Sequence, residues 1–172
     1  MSSKPYLDDP VAAQTALRPL LAGDLLAWRG LPRLSADTLH AAFGKPKQAE
    51  ESTLGWYPAQ RYTYPVERPQ SGLIAYLRDD EVILVETLTP PPLSAMSRLG
   101  EPSAIKPHEI LREGSYVHEY LYCERGLVLS IAEPFEKGQA WQIVRCRGIQ
   151  PIDDPRQFGP EFYLPFEDRS AL

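Results

Sequence analysis

The sequence predicts an α+β fold: two similar units, each a short helix plus a three-stranded antiparallel meander, packed as one pseudo-twofold domain. Three observations predict it. Residues 34–46, LSADTLHAAFGKP, are echoed at 93–102 by LSAMSRLGEP, and both stretches end in a glycine-x-proline stop. Tyr62 and Tyr64 alternate in one strand-like run, as Tyr120 and Tyr122 do in another. Gly72-Leu73 and Gly126-Leu127 each open an apolar run. The offsets run from 54 residues (Gly72 to Gly126) to 59 (Ser35 to Ser94), and the order is kept throughout.

The chain has 172 residues, 43% of them apolar, enough for one domain with a shared core. The expected division is a single domain over 1–172. Within it lie an N-terminal unit at 10–89 with an extra first helix, a repeat unit at 93–150 and a strap at 151–172.

Asp9 followed by Pro10 reads as an N-cap and a first-turn proline, which loses nothing by lacking an N–H. The helix then carries Val11, Ala12, Leu17, Leu20 and Leu21 as its apolar stripe, with Pro19 limiting it and Gly23 offering a stop. Leu25, Leu26, Trp28 and Leu31 follow as a compact apolar cluster, a short helical turn or lead-in strand that Gly30 and Pro32 end. Ser35 caps a second helix, Asp37 sits in its first turn, and Leu39, Ala42 and Phe43 share a face. Beyond Trp56 the period changes to two: RYTYPV, SGLIAYL and EVILVETL read as strands, the last two joined by a hairpin turn at Arg78-Asp79-Asp80. In the second unit, Leu93-Ser94-Ala95 starts the helix, Gly100-Glu101-Pro102 stops it, and YVHEYLY, CERGLVLSI and AWQIVRCRGI supply the strands. Phe158, Phe162, Tyr163 and Phe166 make the last segment a strap across the body, since free tails seldom carry so many aromatics.

The balance of 23 acidic against 18 basic residues, a net charge of −5, argues against nucleic-acid binding, because phosphate contacts need clustered Lys and Arg. No run of about eighteen apolar residues offers a membrane span, and MSSKPYLDDP lacks the apolar core of a signal peptide, so a cytoplasmic protein without membrane contact is expected. Cys123 and Cys146 have no nearby His or Cys at metal-ligand spacing and read as buried thiols, with a cross-strand meeting left open.

The helix, the glycine-x-proline stop, the Tyr-x-Tyr strand and the Gly-Leu strand together resemble the small αβ module of the barrel-assembly lipoprotein BamE and its relatives. Leu99, Gly100 and Pro102 match that family's helix stop, and Phe43, Gly44 and Pro46 form a second copy. The chain departs from the family in having no lipid-attachment cysteine near residue 1, so the envelope location does not carry over. The resemblance implies a non-enzymatic binding module. The acidic balance and Trp28-Arg29-Gly30-Leu31-Pro32 also resemble small bacterial immunity proteins of polymorphic toxin systems. That resemblance implies a protein partner, a toxin domain with a basic active site, reached by steered association.

Catalytic and metal signatures are missing from the sequence. There is no HExxH, CxxC, Walker or GxGxxG pattern, and Arg78-Asp79-Asp80-Glu81 reads as a charged turn. His40 reads as a packed helix residue, His108 as a loop residue and His118 as a strand residue that can pair with an acid across the sheet. Glu86, Glu119, Glu124 and Glu133 form the acidic strand face that a two-carboxylate hydrolase would need. The expected function is therefore an interaction protein, neither enzymatic nor cofactor-dependent, with a small ligand-binding or hydrolytic domain as the alternative. Aromatic and acidic residues serve interfaces through large buried area and charge complementarity. The expected partner-binding set is Trp56, Tyr57, Tyr62, Tyr64, Glu67, Asp79, Asp80, Glu81, Tyr116, Glu119, Tyr120 and Glu124.

Overall fold

Asp9 begins the first helix as the sequence predicts: its carboxylate accepts the Val11 N–H at 3.0 Å, and Pro10 occupies the first turn of α1, Pro10–Leu21. In this computed structural model, which describes residues 4–65, 71–107 and 114–159, α1 buries Ala13, Leu17, Leu20 and Leu21. Val11, expected in that stripe, is exposed instead. Ser35 caps α2, Ala36–Phe43, by accepting the Thr38 N–H at 3.3 Å, and α2 buries Ala36, Thr38, Leu39 and Ala42.

Eight strands follow among the described residues: β1 Gln48–Leu54, β2 Tyr57–Tyr64, β3 Leu73–Arg78, β4 Glu81–Thr87, β5 Ala104–Pro107, β6 Ser115–Tyr122, β7 Leu127–Pro134 and β8 Gln142–Ile149. All pairings are antiparallel within one sheet of order β1-β2-β3-β4-β8-β7-β6-β5. The sheet is thus two four-stranded meanders joined through their last strands, with Leu84, Val85 and Glu86 opposite Ile149, Gly148 and Arg147.

This corrects the predicted architecture of two units, each a helix over three strands. Both α-helices among the described residues lie before residue 44, and the stretch 93–102 supplies only the 3-10 turn Leu93–Met96. The difference is one of capping. Ser35 offers a side-chain oxygen to an orphan N–H of α2, whereas its match Ser94 lies inside the second copy's turn, which starts after Pro92 and has no side-chain cap bond. The segments after Pro46 and Pro102, to which the expected three-stranded units assign no strand, are β1 and β5. The sequence QAEESTL hides β1 because Gln48, Ala49, Glu50, Glu51 and Thr53 are all exposed, so neither face imposes the apolar alternation that marks a half-buried strand.

Alternate residues divide the core between the two sheet faces. Leu73, Ala75 and Leu77 join α1, α2 and the 25–34 segment in the larger cluster. Ile74 and Tyr76 point the other way, into a cluster with Leu54, Leu84, Leu121, Val128, Ile149 and Phe158. The segment read as a helical turn or lead-in strand is a turn at 25–27 followed by an irregular stretch that crosses to the second meander. Its Trp28 is fully buried and donates Nε1–H to the Gly126 carbonyl at 3.2 Å, while Leu31 N–H bonds to the Ile149 carbonyl at 2.9 Å. Gly148 makes room for the indole, since a Cβ there would lie 2.5 Å from Trp28 Cζ2. The expected strap is described only to residue 159. Phe158 is buried after a 3-10 turn at Pro155–Gln157, and Phe162, Tyr163 and Phe166 fall outside the described residues.

The β3–β4 connection places Asp79 at φ 50° and Asp80 at φ 65°, the left-handed pair that two-residue hairpin loops require. Glycine takes this conformation without the Cβ penalty. Asp80→Gly is therefore expected to raise unfolding stability by about 0.5–1 kcal/mol, read as a higher urea midpoint at unchanged slope.

Candidate functional site

The register brings part of the expected partner-binding set together and scatters the rest. Leu54 pairs with Tyr57 across the β1–β2 turn, and Arg78 pairs with Glu81 across the β3–β4 turn. Both turns lie at the same end of the sheet, and the Arg78 guanidinium bridges them, 4.9 Å above the Tyr57 ring. Trp56 is 86% exposed at the tip of the first turn, and Tyr57 is half exposed beside it. Asp79 and Asp80 are exposed in the second turn. Glu81 is partly withdrawn from this patch, because it accepts from Arg33 Nε at 2.9 Å. The Arg33 pKa is raised, chiefly by that hydrogen bond.

The remaining residues lie elsewhere. Tyr64 is completely buried, with its hydroxyl 2.8 Å from His40 Nδ1, and Tyr62 packs half-buried 5.3 Å from the same imidazole. Burial pushes the Tyr64 phenol well above its ordinary pKa. Glu119 is 1% exposed and pairs with Arg147, so Tyr64 and Glu119 belong to the interior and not to a contact surface. Tyr120 packs half-buried on the core, and Glu124 is exposed on the 3-10 turn between β6 and β7. Tyr116 is half exposed at the far end of the second meander, where Ser115 pairs with Pro134. Glu67 and His108 lie outside the described residues.

Two further arrangements stand beside that set, and the first is the pairing with an acid across the sheet expected of His118. His118 Nε2 lies 2.9 Å from Glu133 Oε2 and stacks on Trp141, beside the edge-to-face pair of Tyr116 and Phe135. The signal was an alternating Tyr116-x-His118 in one strand and Glu133 in the next, but strand register alone brings them together. The second arrangement is a buried polar row across β6, β7, β8 and β4. Arg147 Nη2 donates to Glu119 Oε2 at 2.5 Å and to Ser130 Oγ at 3.1 Å, while Ser130 Oγ–H donates to Glu119 at 2.8 Å. Arg145 Nε lies 3.7 Å from Glu86 Oε1. Two members of the proposed acidic strand face, Glu86 and Glu119, are thus neutralised in the interior, and a third, Glu133, is engaged by His118.

Cys146 lies in the helix-side cluster and Cys123 in the opposite one, both as free thiols, so the two do not meet. Burial pushes the Cys146 thiol up to about 12, outweighing the opposing effects of Arg147 and Thr87. No group of three or more His, Cys, Asp or Glu is placed to hold a metal ion among the described residues. A surface depression of about 640 Å³ runs between the end of α1 and Thr89–Pro92. It is lined by Leu20, Leu21, Ser71, Pro91 and their neighbours, without a titratable side chain. Nothing among the described residues indicates an enzymatic activity, and none of the described helices is long and apolar enough to cross a membrane.

Asp154 caps the Pro155–Gln157 turn, and hydrogen bonds from the Arg156 side chain and then its backbone N–H lower its carboxyl pKa to about 2. A folded-state pKa below the ordinary 3.8 means that the contribution to stability is complete above that value and is lost as pH falls through about 2. Carboxyl-carbon NMR is expected to show Asp154 titrating near 2, and Arg156→Ala to move the midpoint back toward 3.8.

Fold and site together define an α+β protein built on a single antiparallel sheet, with an aromatic and acidic patch at one end. No family model matches the chain, and no curated protein matches it. Among solved structures, a DUF4309 family protein (YjgB) from Bacillus subtilis subsp. subtilis str. 168 is similar at 11% identity and a TM-score of 0.48, over 81% of this chain and 99% of that one. That likeness is too slight to transfer a fold or a function.

Proposed function

We propose that this chain is a non-enzymatic interaction protein, specifically an immunity protein that binds and occludes a cognate bacterial toxin in the cytoplasm. The observation that carries the reading is Trp56, 86% exposed at a hairpin tip beside half-exposed Tyr57. A tryptophan held out by a turn contributes nothing to the core, yet it offers the large, rigid area that interface hot spots use. The exposed carboxylates of Asp79 and Asp80 stand at the same end. With the net charge of −5, they suit a partner whose active site is basic and whose encounter is steered by charge.

The test is co-expression and co-purification with the product of the adjacent gene, combined with growth rescue in cells making that product. A stable complex and restored growth are expected. Trp56→Ala is expected to weaken the complex by about 2 kcal/mol or more, the scale of an interface hot spot, while the thermal midpoint of the free protein stays put. An unaltered affinity in that variant removes Trp56 from the interface, and failure of either neighbouring product to bind or poison cells sinks the immunity reading.

A further inference from the structure

The geometry points to β1 as a docking edge for an extended, lysine- or arginine-bearing segment of a partner protein, which would add to the sheet as a ninth strand. This rests on the interaction-protein reading and specifies its mode. A terminal strand turns alternate backbone N–H and C=O groups outward, which is the template for strand addition. The two edges of this sheet differ. β5 has only four residues and ends in Pro107, which has no N–H to give. β1 has seven residues and no proline, and it pairs only with β2 among the described residues. It is also exposed along most of its length on both faces, so an incoming strand meets no side chain packed over the edge.

The charges of β1 select the occupant. Glu50 is already answered across the ladder by Arg61 at 2.7 Å. Glu51 points to the opposite face, stands opposite Gln60, and is exposed without an ion pair among the described residues. A second copy of this chain is disfavoured, because the antiparallel register that pairs all of β1 with itself sets Glu51 against Glu51. An acidic strand meets the same repulsion, whereas a strand with Lys or Arg opposite Glu51 gains a cross-strand pair as well as the main-chain bonds. Trp56, two residues past the end of β1, lies where the added strand would emerge and supplies apolar area there.

The test uses the full chain and three synthetic peptides of seven residues, the length of β1. The first alternates Lys with Thr and Val, the second replaces Lys with Glu, and the third is the Lys peptide with alternate backbone nitrogens methylated. Amide chemical shifts and hydrogen exchange are followed on titration. The Lys peptide is expected to shift and protect the amides of 48–54, with the Glu and N-methylated peptides at least about tenfold weaker. Glu51→Lys, at an exposed position and so folded as before, is expected to reverse the preference between Lys and Glu peptides. Equal binding of both charged peptides, no response in 48–54, or concentration-dependent self-association through those amides overturns the inference. If the adjacent gene product binds while the 48–54 amides stay unprotected, the interaction reading survives and the edge is wrong. If the Lys peptide docks but neither neighbouring product does, the edge stands and the immunity reading fails.

Discussion

Arg147→Met is expected to lower unfolding stability by about 3–5 kcal/mol, because it strands the Glu119 carboxylate in the interior with its closest cation gone. Both side chains are 1% exposed, and the Nη2 to Oε2 separation is 2.5 Å. Water cannot reach the abandoned charge without displacing what packs over that sheet face, where the Phe158 ring lies 5.9 Å from the Arg147 guanidinium. Part of the loss also falls on Ser130, whose hydroxyl is shared between the two charged groups. The double variant Arg147→Met/Glu119→Leu removes both charges at once, and it is expected to recover most of the stability, since a buried pair returns little more than its desolvation cost. Urea unfolding of the two single variants and the double variant measures the coupling. A loss under about 1 kcal/mol for Arg147→Met, the scale of exposed pairs such as Arg156–Asp154, would show that the row is solvated.

Trp28→Ala is expected to cost about 3–5 kcal/mol, the range for deleting a buried aromatic and leaving its cavity. The indole is fully buried against Gly148 of β8, and its N–H reaches Gly126 in the turn between β6 and β7 of the second meander. The residue therefore joins parts of the chain about a hundred positions apart, 98 for the hydrogen bond itself. Trp28→Phe retains most of the apolar volume and loses the hydrogen bond, so it is expected to cost less than the alanine change. Gly148→Ala attacks the same contact from the other side, and overpacking against the ring is expected to cost about 1–3 kcal/mol. Thermal and urea unfolding of the three variants should rank Trp28→Ala as the most damaging.

The helix starts were legible because capping is local: Asp9 with Pro10 and Ser35 carry their instructions within three residues. The β3–β4 hairpin was legible for the same reason, with apolar runs on either side of Asp79-Asp80. The echo between 34–46 and 93–102 misled in one respect. Similar letters produced a helix in the first case and a single turn in the second: Ser35 caps α2, whereas its match Ser94 falls inside the turn Leu93–Met96, whose cap position is Pro92 and carries no side-chain bond. β1 was invisible because only its last residue, Leu54, reaches a core, and the candidate site was legible only in part. Trp56, Tyr57, Asp79 and Asp80 come together through the β2–β3 register, whereas Tyr64 and Glu119 have the same residue types and lie inside. Residue type sets what a side chain can do at a surface, but strand parity and the packing above each face decide whether it reaches one.

Taken alone, the sequence determined what is short in range: two capped helices, the alternating strands, the turn chemistry at Asp79-Asp80, the net negative charge and the lack of any catalytic or metal spacing. The tertiary structure decided how the two meanders join, through β4 and β8 in one sheet. It also decided which charges are buried as Glu119–Arg147 and which aromatic stands free as Trp56. The reason is physical: caps and turns are satisfied by neighbours in the chain, but burial and ion pairing across a sheet depend on partners brought from far along it.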